Sequence, residues 1–263
     1  KIEDIDCLIG ASATFDYIIP NRASMVKNQF EKSNDLDFPC LDINTVCTSF
    51  ITAMEYASHL LQTEDYQNIA IVSSEVSSKG LNPDDPKTYC LFGDAAAAVI
   101  LSKTKKEGGL VKYALKNYTE SVLHTRIEGG GNENHPKDTP YDSAMYSFKM
   151  EGRHLLRTAR KYMSPFFDKF YNNIPTTLKN TDWIVPHQTS KMGFKLLEQL
   201  NEDKSENIVN ILSTYGNCIS ASIPLAFISL IKGGKLKEND TCMLTGTAAG
   251  LSISGLLLKY TTS

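Results

Sequence analysis

The order of apolar segments is the feature that most constrains the fold. Short apolar runs alternate with segments whose apolar residues recur every three or four positions, a pattern typical of strands alternating with helices. Most of the runs are apolar throughout, which favours a parallel-type sheet covered by helices on both faces. The predicted strands are 5–10, 38–43, 68–75, 91–101 (which begins as a turn), 110–122, 183–186, 207–212, 241–245 and 251–260. The predicted helices are 23–30, 49–62, 149–171, 190–200 and one from the 215–218 turn to about 233.

The same order of elements occurs twice. Residues 5–9 resemble 181–185, and each segment is followed by a helix, a short strand and a strand-to-helix turn. The second copy also has a strand and a long helix ahead of its first matching strand. We therefore predict two pseudo-duplicated halves, residues 1–104 and 105–263. We also expect the first half to lack roughly one strand and one helix.

Composition narrows the class of protein. A chain of 263 residues can bury a substantial core as one large or two small domains. The net charge of −3 gives no basic field for nucleic acid or membrane, and no apolar run approaches a membrane span. Six scattered cysteines without a CxxC pair indicate a reducing cytoplasm, not a disulfide framework or a zinc site. We expect no metal.

Cys47 lies where the strand 38–43 turns into the helix that starts near Ser49. A helix N-terminus has unpaired N–H groups and a partial positive charge, and both favour a thiolate. Cys47 is therefore a candidate nucleophile. The alternative is a small buried side chain without a chemical role.

Two further residues could act with Cys47. His187 follows the strand 183–186 directly, at the strand end where open α/β sheets place ligands. Asn217 lies in a turn before a helix, nearly equivalent to the turn of Cys47 in the first copy. Each residue alone has a simpler explanation, a hydrogen-bonded loop histidine and a turn-forming asparagine. The repeat, however, predicts that all three approach each other near the pseudo-twofold axis.

The motifs around these residues resemble the β-ketoacyl-acyl-carrier-protein synthase III family of the thiolase superfamily. The matching segments are NTVCTSF at 44–50, FGDAAAA at 92–98, VPHQ at 185–188, YGNCISASIP at 215–224 and GTAAGLS at 246–252. The resemblance implies a thiolase-like fold, with two βαβαβαββ halves in an αβαβα layered sandwich. The Cys-His-Asn set is similar to that of this family and distinguishes it from the elongating synthases, which use Cys-His-His. Thiolases carry a second Cys in the Gly-rich turn, which this chain lacks.

The resemblance implies an acyltransferase of fatty acid or polyketide-type biosynthesis that needs no cofactor. Cys47 would accept an acyl group from acyl-coenzyme A or an acyl carrier protein. His187 and Asn217 would then polarise malonyl-carrier for decarboxylative Claisen condensation. The backbone N–H groups of Cys47 and Ala249, in the turn with Gly250, would form an oxyanion hole. Phe50 would shield the pocket.

The chain departs from the family pattern in two places. Ala248 and Ala249 stand where glycines are usual, which the backbone tolerates only if neither needs positive φ. Ser190-Lys191-Met192 replaces the usual Asn-x-Arg, so the arginine that holds the coenzyme A phosphate is missing and Lys191 would substitute in part. These departures favour carrier-bound substrates.

Partner contacts are predicted at two places. Basic residues recur along the helix 149–171, and docking of an acidic acyl carrier protein is expected at Arg153 and Arg157. The alternative is a solvated helix face. The residues of this stripe are Lys149, Arg153, Arg157, Arg160 and Lys161. Ile19 matches a residue that enters the partner's acyl tunnel in the homodimers of the family, and a sheet continued across the dimer would cover an exposed edge.

Three alternatives stay open at this point. An acyltransferase with a non-malonyl acceptor would keep Cys47 but join the acyl group to a hydroxyl, an amine or a β-keto chain. A non-catalytic partner subunit of a heteromeric ketosynthase would show no acylation of Cys47. The third alternative is an unrelated α/β protein with a buried cysteine.

Overall fold

The computed structural model describes residues 1–202 and 204–262. The strands are β1 (Cys7–Gly10), β2 (Cys40–Asp42), β3 (Asn68–Glu75), β4 (Ala95–Ser102), β5 (Gly109–Asn117), β6 (Thr125–Arg126), β7 (Lys149–Met150), β8 (Trp183–Pro186), β9 (Thr241–Ala248) and β10 (Ser252–Lys259). The helices are α1 (Arg22–Lys27), α2 (Ser49–Leu60), α3 (Pro86–Tyr89), α4 (Gly152–Tyr171), α5 (Lys191–Leu200), α6 (Leu212–Tyr215) and α7 (Ser222–Lys232). No described helix is both long and apolar enough to cross a membrane.

Two four-stranded sheets organise the fold. Sheet 1 has the order β2-β1-β3-β4, in which only β4 is antiparallel to its neighbour. Sheet 2 has the order β5-β10-β9-β8, in which β8 and β9 are parallel and β10 is antiparallel to both of its neighbours. The strands β1, β3 and β4 thus correspond to β8, β9 and β10, which confirms the predicted repeat. The boundary proposed at 104/105 falls between β4 and β5.

The sheets are mixed, whereas the sequence favoured parallel pairing. The short connection from β9 to β10 leaves room only for an antiparallel neighbour, because a parallel pair needs a long crossover. Parallel pairing holds for β1, β2 and β3 and for β8 and β9, where helices or long segments make the connections.

The helices form three layers around the sheets. Helices α2 and α7 lie between the sheets, where α2 contacts β3 and β10 and α7 contacts β4 and β8. Helix α1 packs on the outer side of sheet 1, and α4 contacts β10 on the outer side of sheet 2, together with α5. This order is the αβαβα sandwich that the resemblance implied. Strand β10 is buried from Ser252 to Leu258 because both faces of sheet 2 are covered.

Three of the differences between the predicted and the observed elements have a physical reason in the structure. Helix α4 starts at Gly152, because Lys149 and Met150 pair with β6 as a separate strand. The predicted strand 207–212 is reduced to one bridge between Ile184 and Ile208, followed by α6. Strand β2 is half-buried instead of buried, since it lies at the edge of the described sheet.

Candidate active site

The turn that carries Cys47 has an unusual backbone. A 3-10 turn, Val46–Thr48, joins the segment after β2 to α2, and Val46 has φ of 55°. Left-handed φ is rare for a β-branched residue and must be held by its surroundings. Here the N–H of Val46 donates to Oδ1 of Asn44 at 2.9 Å, and the N–H of Thr45 donates to Oγ of Ser49 at 3.0 Å. These bonds fix Cys47 at the start of the central helix.

The second half builds the same turn around Asn217. Ile219 has φ of 48°, and its N–H donates to Oδ1 of Asn217 at 2.9 Å. The N–H of Cys218 donates to Oγ of Ser222 at 2.9 Å. The two turns contact each other, as the repeat predicted. Their hydrogen bonds also correct the register, because Asn217 corresponds to Asn44, and the counterpart of Cys47 is Ser220.

Asn217 is held by a segment of the first half. Its backbone N–H donates to the carbonyl of Leu91 at 2.9 Å, and its carbonyl accepts from Gly93 at 3.0 Å. A Cβ on Gly93 would lie 2.1 Å from the carbonyl oxygen of Tyr215, so this close approach requires glycine. Since Oδ1 of Asn217 is engaged by Ile219, the Nδ2 group is the side-chain donor available to a ligand.

His187 is fixed at the end of β8. Its N–H donates to the carbonyl of Thr245 at 2.8 Å, and the fully buried Gln188 next to it accepts from Ile211 at 2.9 Å. Only glycine at 246 leaves room for the ring, because a Cβ there would lie 2.8 Å from Cβ of His187. Burial lowers the pKa of His187 to about 4. The imidazole is therefore neutral at neutral pH and can donate from one ring nitrogen.

Cys47, His187 and Asn217 line one cavity of about 460 Å³. The structure thus brings together the three residues singled out from the sequence. One wall consists of apolar side chains from α4 and α5, among them Leu155, Leu156, Ala159, Met163, Phe194 and Leu197. The cavity therefore combines a thiol, polar donors and an apolar surface on which a hydrocarbon chain can lie.

The pKa of the Cys47 thiol is raised to about 12, chiefly by burial and further by the nearby carboxylate of Glu75. The backbone N–H groups of Ala249 and of Cys47 itself act in the opposite direction. The sequence-based expectation was a lowered pKa. The difference arises because α2 starts two residues beyond Cys47 and burial outweighs the partial charge of the helix end. The N–H groups of Ala249 and Cys47 thus lie close to the sulfur of Cys47.

Glu75 is a buried residue of the site that the sequence did not single out. It ends β3, is 1% exposed, and accepts from the N–H groups of Ala13 and Thr14 at 2.8 Å each. It also accepts from the hydroxyls of Thr14 and Ser220. This carboxylate joins the loop after β1 to the turn of Asn217. Its only sequence signal is an acidic residue that ends an otherwise apolar strand.

The remaining predicted residues are spread around the cavity. Ala249 lines it, and neither Ala248 nor Ala249 has positive φ, so only Gly250, with φ of 130°, needs the freedom of glycine in this turn. Phe50 lies in the core between the sheets, and it does not contribute to the cavity wall. Arg153 and Arg157 are exposed on α4, Lys191 is exposed at the start of α5, and Ile19 is 83% exposed.

Two duplicated halves in five layers, with Cys, His and Asn meeting at a cavity between the halves, define a condensing acyltransferase of the thiolase fold. The family models for 3-oxoacyl-[acyl-carrier-protein] synthase III and for its C-terminal part match residues 41–119 and 173–260. The chain belongs to the 3-oxoacyl-[acyl-carrier-protein] synthase III family.

Individual relatives and solved structures agree with this assignment. The chain is 31% identical to a β-ketoacyl-[acyl-carrier-protein] synthase III of Clostridium perfringens over 98% of its own length and 78% of that protein. It is 28% identical to one of Bacteroides thetaiotaomicron over 98% and 76%. The crystal structure of the synthase III of Thermus thermophilus superposes with a TM-score of 0.87 at 23% identity, over 100% of this chain and 79% of that one. At that identity the likeness shows the fold alone.

Proposed function

We propose that the chain is a 3-oxoacyl-[acyl-carrier-protein] synthase that loads an acyl group on Cys47 and condenses it with malonyl-carrier. The observation that carries the proposal is the single cavity shared by Cys47, His187 and Asn217. Family membership supports the same reaction. The apolar wall of the cavity favours acyl groups with a hydrocarbon chain over polar substrates.

In the first step the sulfur of Cys47 attacks the thioester carbonyl of the acyl donor. A bond forms between Sγ and the acyl carbon, the bond to the donor sulfur breaks, and the thiol proton ends on the leaving thiol. The negative charge on the carbonyl oxygen would be stabilised by the N–H groups of Cys47 and Ala249.

In the second step malonyl-carrier takes the place of the donor. Its carboxylate leaves as carbon dioxide, and the bonding pair remains as an enolate. The neutral ring of His187 and the Nδ2 group of Asn217 would stabilise the enolate oxygen as hydrogen-bond donors. The enolate carbon attacks the acyl carbonyl, Cys47 leaves as a thiolate and regains a proton from water, and 3-oxoacyl-carrier is released. The reaction needs no cofactor.

The carrier protein and a second copy of the chain are the proposed partners, in the cytoplasm. Arg153 and Arg157 are exposed on α4, and the inner side of this helix lines the cavity, which supports carrier docking there. Lys191 is next to the cavity residue Ser190, which supports a role in the same contact. The exposed apolar segment around Ile18 and Ile19, together with the edge strand β2, supports a homodimer.

Intact-protein mass spectrometry after incubation with acyl-coenzyme A and acyl-carrier thioesters tests this function. We expect a mass gain of one acyl group that is lost in Cys47→Ala. The matched control is Cys90→Ala, because Cys90 is the exposed cysteine and an adventitious acceptor. The acylated protein should then release carbon dioxide from malonyl-carrier. Acylation without this release would favour a non-malonyl acceptor, and no acylation would favour a non-catalytic subunit.

A further inference from the structure

Three side chains with metal-binding groups meet next to the cavity. They are His124, Glu151 and His154, and their ligand atoms all lie within 4.8 Å of one another. Nδ1 of His154 lies 2.9 Å from Oε2 of Glu151, and Nε2 of His124 lies 4.0 Å from the same oxygen. The side chains are 30–51% exposed, so an ion could reach them from solvent.

Rigid backbone positions the three groups. His124 precedes β6 and Glu151 follows β7, and the N–H of Glu151 donates to the carbonyl of His124 at 2.8 Å. His154 follows in the first turn of α4. Its ring stacks on that of His124 with centroids 5.0 Å apart and an interplanar angle of 12°. The paired strands β6 and β7 and the start of α4 thus hold the three side chains close together.

The chemistry of the set fits a zinc-like ion. Two imidazoles and one carboxylate are ligands that Zn²⁺ accepts, at distances of about 2.0–2.2 Å in tetrahedral geometry. Ligand atoms around such an ion lie about 3.3–3.5 Å apart, as follows from these bond lengths. The observed 2.9 Å and 4.0 Å bracket this spacing, so small side-chain rotations suffice. A fourth position remains for water.

A second cavity, of about 330 Å³, adjoins the set and has His124 and Glu151 in its wall. Arg126, Phe148 and Met150 line both this cavity and the one that holds Cys47. His124 and Glu151 therefore lie next to residues that line the cavity of Cys47.

We propose that His124, Glu151 and His154 bind a divalent transition-metal ion of the zinc type. The site is separate from the proposed condensation and does not depend on it. The sequence did not single it out, because His124 is far in the chain from the Glu151–His154 pair and the pairing of β6 with β7 brings them together.

Calorimetric titration of the full chain with Zn²⁺ tests the proposal, in a Cys90→Ser background that removes the exposed thiol. We expect one ion per chain, with affinity reduced more than about tenfold in His124→Ala and in His154→Ala. His59→Ala is the matched control, because His59 forms a similar pair with Glu55 at 2.9 Å but has no second histidine. Mg²⁺ should bind weakly, since it prefers oxygen ligands.

Thermal unfolding gives a second readout. Zn²⁺ should raise the Tm of the background protein and of His59→Ala, and raise the Tm of His124→Ala and His154→Ala by less, because an ion that binds only the folded state stabilises it in proportion to its affinity. Unchanged Zn²⁺ affinity in both variants, or an equal loss in His59→Ala, would overturn the proposal.

Discussion

At the scale of single residues, burial determines the protonation state of His187. Its ring is 4% exposed, and its Nδ1 is buried with no partner in the described chain. A charged imidazole would lose its hydration there, so the folded protein holds the neutral form, with a pKa of about 4. The neutral ring is the form that can both donate and accept during condensation.

The lowered pKa of His187 makes stability dependent on pH. The unfolded value is near 6.5, so the unfolded state binds the proton more readily below that pH. Stability is therefore complete above pH 6.5 and decreases as the pH falls toward 4. Between pH 6.5 and 5, the free energy of unfolding measured with urea should decrease by about 1.5 kcal/mol less in His187→Gln than in the unchanged chain. The exposed His135→Gln is the control, and equal losses in all three proteins would contradict this.

Glu75 is expected to oppose ionisation of Cys47. Its carboxylate contributes to the raised pKa of the thiol, so Glu75→Gln should lower that pKa. The rate of iodoacetamide alkylation as a function of pH, in a Cys90→Ser background, reports the change. Glu55→Gln removes the same charge elsewhere and should leave the profile unaltered. An unaltered profile in Glu75→Gln as well would show that burial alone raises the pKa.

At the scale of elements, α4 serves two surfaces. Its inner side supplies apolar residues to the cavity, and its outer side exposes Arg153 and Arg157. The basic stripe is shorter than the sequence predicted. Lys149 lies on β7 and pairs with Glu128, and Lys161 pairs with Glu120. Arg153 and Arg157, which are exposed near the start of the helix, therefore remain as the candidate contacts for a partner.

Charge reversal on α4 tests carrier docking. Arg157→Glu should raise KM for malonyl-carrier about tenfold at low salt and raise KM for acyl-coenzyme A less, because the acidic surface of the carrier meets the helix over a larger area than the coenzyme A phosphates do. The difference should shrink as salt screens it. Lys169→Glu is the matched control for Arg157→Glu, because Lys169 is exposed near the other end of the same helix. Equal increases for both substrates would instead indicate damage to the cavity.

At the scale of the whole molecule, the repeat explains why the site lies where it does. Each half contains a strand-to-helix turn with an equivalent pair of hydrogen bonds. Each turn also has one residue with left-handed φ, Val46 in the first half and Ile219 in the second. The pseudo-twofold relation brings the two turns into contact at the centre. Both turns carry an asparagine, Asn44 or Asn217, and they differ at the position of Cys47, where the second half has Ser220.

The proposed homodimer predicts a mass of twice 29.1 kDa by light scattering. Ile18→Asp should shift the protein toward the monomer, because Ile18 is 89% exposed in the segment expected to meet the partner. Tyr141→Asp, which changes an 80% exposed residue of the loop 128–142, should leave the mass unaltered. A monomer before any substitution would exclude the homodimer.

Much of this protein follows from local sequence. Strands β3 and β8 have the predicted bounds, because continuous apolar runs between polar ends specify buried strands. Cys47, His187 and Asn217 could be chosen because each follows a strand or begins a helix within a recognisable motif. The order of elements, read twice along the chain, predicted helix-covered sheets in two similar halves, and the family resemblance implied the five-layer arrangement.

Other features depend on contacts between distant residues, which no local pattern encodes. Lys149 joins β7 because β6 is there to pair with it, and Glu75 matters because the loop after β1 and Ser220 converge on it. The pKa of Cys47 rises although its place near a helix start favours the opposite, since burial by the surrounding chain outweighs the helix end. The sequence determined which groups the site contains, and only tertiary packing decided their charge, register and neighbours.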